Sequence, residues 1–103
     1  MQRRAHMVLA VFIGLCLSQV SPVSAQTAVE TGERLFDENC AGCHGERISN
    51  PNELFDLKEL RKDERARFDK SVREGKGQMP PWEGTFTDEE FDAIWAYIRS
   101  MAD

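Results

Sequence analysis

Histidine is nearly absent from this chain of 103 residues, which has two, and cysteine is scarce, with three. A structural zinc site wants four nitrogen or sulfur donors, so one such site would take up almost the whole supply. No long apolar run is present either. The stretch from Met7 to Leu17 covers eleven residues, whereas a membrane-spanning helix needs about twenty. Strand-like alternation and internal repeats are both missing, which leaves no basis for a βαβ or solenoid architecture. Positive charge is in deficit, 13 Lys plus Arg against 18 Asp plus Glu, for a formal net charge of −5. An acidic balance of this kind disfavours nucleic acid and anionic lipid as partners, and is compatible with steering toward a basic one.

The N-terminus reads as an export signal. Arg3 and Arg4 form a positive segment, Met7 to Leu17 is the apolar segment, and Val23-Ser24-Ala25 ends in the small residues of a cleavage site. The expected mature chain therefore starts at Gln26, in the periplasm, with no stable membrane insertion. A retained anchor is the alternative, and the short apolar segment disfavours it. Leu15 is too large to precede a lipidated cysteine at Cys16, and Arg3-Arg4 lacks the flanking residues of a full twin-arginine signal. Removing residues 1–25, which hold two arginines and no acid, takes the formal charge from −5 to −7. The 78 residues that remain are few for a self-sufficient apolar core, so an internal staple is expected.

Cys40-Ala41-Gly42-Cys43-His44 supplies it. C-x-x-C-H is the attachment sequence of a c-type haem. Two thiols three positions apart on one turn can add to the two vinyl groups of a porphyrin, while the adjacent imidazole reaches the iron. A thioredoxin-like pair would want a surrounding βαβ pattern, and the segments that follow read as helices. A zinc site would have only Cys40, Cys43 and His44 after export, because His6 and Cys16 both lie in the removed segment. An accidental pair of surface thiols is the third alternative.

A first helix is expected from about Ala28 to Asn39, with Val29, Gly32, Leu35 and Phe36 on one stripe, delivering Cys40 at its end. Gly45 to Asn52 reads as a loop, Asn52 to Leu60 as a short helix on Leu54, Leu57 and Leu60, and Asp63 to Glu74 as another that Gly75 stops. The last helix opens on Thr87 with Glu90 three residues later, a capping box, followed by Phe91, Ile94, Trp95 and Ile98 at helical spacing. Glycine in a helix interior costs about 1 kcal/mol relative to alanine. Gly32 is therefore expected where the first and last helices cross closely, with Phe36 meeting Ile94, Trp95 or Tyr97. Gly75-Lys76-Gly77-Gln78-Met79-Pro80-Pro81 is a flexible turn followed by two stiff residues. It suits a loop that presents Met79 as the sixth ligand. No second histidine survives export, and the other mature methionine, Met101, sits at a helix end. A loop methionine packed in the core is the alternative. Trp82 and Arg47 are candidates for contact with the haem edge or a propionate, with core and solvated surface as their alternatives.

Taken together, the Cys40-x-x-Cys43-His44 turn after a helix bearing Gly32 and Phe36, the Gly77-Gln78-Met79-Pro80 loop and the aromatic closing helix resemble a class I monohaem cytochrome c over nearly all of residues 28–101. The resemblance implies an all-α fold of three to four short helices in residues 26–103, wrapped around one covalently bound haem c. It implies Cys40 and Cys43 as attachment points and His44 and Met79 as axial ligands. It implies a monomeric electron carrier rather than an enzyme, with transient redox donor and acceptor proteins. Compact forms with this Met-Pro loop resemble cytochromes paired with quinoprotein alcohol dehydrogenases, or haem domains of larger oxidase assemblies. A backbone carbonyl near a proline is implied as the partner of the proximal imidazole, and Pro51 is the matching residue. A peroxidase or gas sensor would need Met79 off the iron, and a thiol oxidoreductase would need no haem at all.

Overall fold

A computed structural model of the protein describes Ala10, Ile13, Gly14 and residues 25–102. The export segment 1–25 falls almost entirely outside the described residues. Four helices follow in order: α1 (Ala25–Asn39), α2 (Ala41–His44), α3 (Arg65–Glu74) and α4 (Asp88–Met101). Single 3₁₀ turns cover Glu46–Ile48 and Lys62–Glu64. No strand forms among the described residues, and only two isolated bridges occur, Lys76 with Met79 and Glu83 with Phe86.

The expected close crossing is the centre of the fold. A Cβ added to Gly32 would lie 1.9 Å from the Ala93 carbonyl oxygen and 2.9 Å from Tyr97 Cβ, so α1 and α4 touch backbone to backbone at this point. Around it, Leu35, Phe36, Ile94, Tyr97 and Ile98 are buried, and Ile48 and Phe68 complete the core. Phe36 finds Tyr97, ring centroids 5.4 Å apart. Trp95, expected on the buried stripe, is instead half-buried against Phe68 at 5.2 Å, under the guanidinium of Arg65.

The capping box of α4 forms as the sequence indicates. The Glu90 N–H donates to Thr87 Oγ1 at 3.1 Å, and the Thr87 N–H donates to Glu90 Oε1 at 2.9 Å. Asp88, Glu89 and Glu90 occupy the first turn, where the helix dipole favours negative charge. Arg73 of α3 ties this end down. Its guanidinium lies 4.1 Å from the Phe91 ring centroid and bridges Glu83 at 3.0 Å and Asp88 at 2.9 Å.

Two expectations change in detail. Helix α1 already includes Ala25, upstream of the expected Ala28. Residues 52–60 form successive turns rather than a helix, with Asn and Asp side chains bonding the local backbone as an alternative to a helical ladder. Asn50 Oδ1 accepts from the Asn52 N–H at 2.8 Å, Asn52 Oδ1 from the Leu54 N–H at 3.0 Å, and Asp56 Oδ1 from the Lys58 N–H at 3.1 Å. Leu57 and Leu60 still pack on the core, while Leu54 is 87% exposed.

The crossing generates a direct test. Alanine is the better helix former by about 1 kcal/mol, yet Gly32→Ala must push α1 and α4 apart, and overpacking costs about 1–3 kcal/mol. The variant is expected to unfold at a lower temperature than the parent, by several degrees, in a thermal melt followed by circular dichroism. A rise in melting temperature would contradict the close crossing.

Candidate haem-attachment site

Helix α1 ends in the turn that carries the motif. The Cys40 N–H donates to the Phe36 carbonyl at 2.7 Å, continuing the α1 ladder by one residue. The Cys40 carbonyl then accepts from the Cys43 N–H at 3.2 Å and the His44 N–H at 2.9 Å, so both cysteines and the histidine share one turn. Both thiols are free; Cys40 is half-buried and Cys43 exposed. Burial, and then the neighbouring Cys43, push the Cys40 thiol up to about 11. That direction is opposite to the lowered pKa a catalytic redox thiol needs.

His44 is half-buried between two aromatic rings, its ring centroid 6.4 Å from those of Phe36 and Phe55. Its Nδ1 lies 2.6 Å from the Phe55 carbonyl oxygen. A carbonyl can only accept, so Nδ1 carries a proton, and in the neutral ring the lone pair is on Nε2. The carbonyl belongs to Phe55, four residues beyond Pro51, which corrects the placement at the proline. The reason lies in the loop between them. Gly45 turns the chain at φ +83°, where an added Cβ would meet the Ser49 carbonyl oxygen at 1.9 Å. Arg47 and Ile48 follow in left-handed backbone, φ +55° and +60°. A β-branched residue there costs about 1–3 kcal/mol, and burial of an isoleucine side chain offsets about 1.5–3 kcal/mol. Ile48 is 0% exposed. Its carbonyl accepts from the Leu57 N–H at 3.0 Å, and Asn50 Nδ2 donates to the Cys43 carbonyl at 2.6 Å. Phe55 is thereby delivered to the imidazole.

Met79 stands on a separate element, the connection between α3 and α4. Lys76 and Met79 exchange both backbone hydrogen bonds at 3.0 Å, closing a four-residue turn. Gly77 has φ +58° at the second position and Gln78 does not share the positive φ, the pattern of a type II′ turn. Gly75, at φ +82°, ends α3, and a Cβ there would lie 2.8 Å from the Met79 carbonyl oxygen. Beyond the turn, the Trp82 N–H donates to the Val72 carbonyl at 2.8 Å. The Trp82 ring stacks on Phe86 at 5.5 Å, holding the segment against α3 and α4. Arg47 is exposed and makes no ion pair among the described residues.

Several of these features have no signature in residue type. A backbone carbonyl such as that of Phe55 carries none, and the left-handed pair at Arg47–Ile48 runs against the preferences of both residues. The signals that point toward them are indirect, namely Gly45 and the run of Asn and Asp at 50, 52 and 56.

Two free thiols and an imidazole with a fixed tautomer on one turn fit a haem c, which takes two thioethers and one neutral nitrogen ligand. They do not fit zinc equally well: His6 and Cys16 lie outside the described residues, and among the described residues no group of three His, Cys, Asp or Glu is placed to hold a metal ion. No helix among the described residues is long and apolar enough to cross a membrane.

Comparison with known proteins agrees. The family described as cytochrome c oxidase, cbb3-type, subunit III matches residues 27–98. Cytochrome c6 of Bryopsis maxima is 34% identical over 80 residues, covering 68% of this chain and 88% of that protein. Cytochrome c6 of Thermosynechococcus vestitus is 29% identical over 110 residues, covering 99% of this chain and 95% of the relative. The cbb3-type cytochrome c oxidase subunit FixP of Bradyrhizobium diazoefficiens is 32% identical over 77 residues, but the match spans only 26% of that longer protein. Such likeness, on a strand-free helical frame that sets paired thiols beside an oriented imidazole, means that the chain belongs to the class I monohaem cytochromes c, small electron carriers rather than enzymes, with one covalently bound haem c.

Proposed function

We propose that this protein is a periplasmic carrier of single electrons, exported by residues 1–25 and cleaved after Ala25. Cys40 and Cys43 would hold the haem by thioethers, and His44 Nε2 and Met79 Sδ would ligate its iron. The observation that carries this reading is the 2.6 Å contact between His44 Nδ1 and the Phe55 carbonyl. It fixes the tautomer with Nε2 free, and it makes the ring a better donor. When bound, the haem supplies one-electron exchange between ferrous and ferric iron.

The protein's own part is to hold in place the two residues that would ligate the iron. His44 is held by its carbonyl partner and its aromatic neighbours, and Met79 by a turn that closes on itself. With two protein ligands no position is left for a substrate, and exchange is outer-sphere. Thioether sulfur favours the ferrous state, so Met79 raises the potential. The donor is a dehydrogenase, a quinoprotein alcohol dehydrogenase being one candidate, and the acceptor is an oxidase or another redox protein. The oxidase side draws support from the match to a family described by a cbb3-type oxidase subunit. The start of that match at residue 27 supports the proposed cleavage point.

Met79→Ala is expected to keep its haem, to bind carbon monoxide in the reduced state where the parent does not, and to fall in potential by on the order of 0.1 V, within the range axial ligands span. Visible spectroscopy and a redox titration check this; an unchanged spectrum and potential would remove Met79 from the iron. Gly45→Ala is expected to disturb the loop that brings Phe55 to His44. In the reduced protein the His44 Nδ1 proton should exchange with solvent about fivefold faster, as expected when a hydrogen bond worth ~1 kcal/mol is lost. Proton nuclear magnetic resonance reads this directly, and equal exchange rates would separate the loop from the imidazole.

A further inference from the structure

The connection that carries Met79 is fastened to α3 at both ends. It leaves the helix at Gly75. It returns where the Trp82 N–H donates to the Val72 carbonyl at 2.8 Å and the Glu83 N–H to the Arg73 carbonyl at 3.2 Å. Between this return point and Met79 stand Pro80 and Pro81, whose rings restrict the backbone. A shift at Glu83 is therefore passed on to Met79 rather than absorbed on the way.

Arg73 reinforces the return point through its side chain as well. One guanidinium nitrogen donates to Glu83 Oε2 at 3.0 Å and Oε1 at 3.3 Å, and another donates to Asp88 Oδ1 at 2.9 Å. The guanidinium carbon lies 4.1 Å from the ring centroid of Phe91, a buried residue of α4. Phe86 packs edge-on against Phe91 at 5.6 Å and stacks on Trp82, which continues the contact back to the segment. A lone exposed ion pair contributes little. Here, however, a planar fork held over a ring is shared by two carboxylates, so little freedom is left to lose when the bonds form. Arg65 offers a contrast on the same helix. It also pairs with two carboxylates, Asp69 and Asp92, beside the rings of Phe68 and Trp95, but among the described residues it makes no ion pair or ring contact with residues 75–86.

We propose that Arg73 is a positioning residue for Met79: its clamp on Glu83 and Asp88 holds the 79–83 segment closed and so sets how often the methionine sulfur leaves the iron. The proposal goes beyond the carrier reading and rests on it for Met79 as a ligand. A small molecule can take the sixth position only while Met79 is away. Its apparent Kd is then the intrinsic value divided by the fraction of protein that is open. Loosening the clamp raises that fraction and tightens apparent binding by the same factor.

The test titrates the oxidised holoprotein with imidazole at about pH 8, where the free ring is mostly neutral, at low ionic strength, and follows the visible spectrum. Arg73→Gln should bind imidazole about tenfold more tightly than the parent, the loss of one cation–π contact and its ion pairs. Glu83→Gln should bind about threefold more tightly; it is an exposed change that spares the core, and keeps the test readable should Arg73→Gln fail to fold. Arg65→Gln should lower the melting temperature yet bind imidazole as the parent does. Added salt, which screens ion pairs, should tighten binding to the parent and leave Arg73→Gln unchanged. The proposal is overturned by a parental Kd in both Arg73→Gln and Glu83→Gln, by equal tightening in Arg65→Gln, or by the same salt response in parent and Arg73→Gln. Failure of the underlying reading has a different signature: Met79→Ala would then bind imidazole no more tightly than the parent.

Discussion

Everything else in the molecule depends on the backbone contact between Gly32 and Ala93. Because a side chain at position 32 would collide with a carbonyl oxygen, the two helices can meet only with glycine there. The crossing sets where Phe36 and Tyr97 interlock and where α1 ends. It thereby sets the position of the turn carrying Cys40, Cys43 and His44. The loop that follows is then positioned from this turn at one end, through Asn50 and the Cys43 carbonyl. At the other end Ile48 anchors it in the core. The imidazole is thus oriented by a chain of contacts that begins at a helix crossing rather than by any single residue beside it.

Much of this arrangement is legible in the amino-acid sequence, and the parts that are not have a common cause. The crossing can be inferred because glycine in a helix interior costs stability and so implies a compensating contact. The capping box of α4 and the stop at Gly75 are legible because each depends on residue type at a fixed position. The helix that apolar spacing suggests over residues 52–60 does not form, because that spacing takes no account of Asn50, Asn52 and Asp56, whose side chains compete locally for amide hydrogens. The carbonyl that meets His44 belongs to Phe55 rather than to the surroundings of Pro51, and main-chain acceptors are common to all residues. Only the course of the loop selects among them. The burial of Tyr97 in place of Trp95 is a half-turn matter that periodicity resolves poorly.

The surface divides its charges in two ways. Around α3 and the start of α4, arginines are matched to carboxylates, and Arg65 and Arg73 each combine an ion pair with an aromatic face. Exposed pairs of this kind contribute about 0–1 kcal/mol each, so their main effect is to hold α3, the 82–86 segment and α4 in register. Around the Cys40–His44 turn, by contrast, the carboxylates of Glu33, Asp37 and Glu46 are left uncompensated. Glu30, Glu53, Glu59, Glu74 and Glu89 also lack an ion pair among the described residues, so the excess of acid read from composition is spread along the chain.

The Gly32–Ala93 contact also fixes an order in time. Its two residues lie about sixty positions apart, so closing it carries the entropy cost of a long loop. It cannot form before the last helix has been made. Until then the thiols of Cys40 and Cys43 belong to an open chain, at the ordinary reactivity of exposed cysteine. In the folded chain Cys40 is half-buried, and burial followed by the neighbouring Cys43 pushes its thiol up to about 11. The helix made last is thus the one that completes the core against which Cys40 and Ala41 pack.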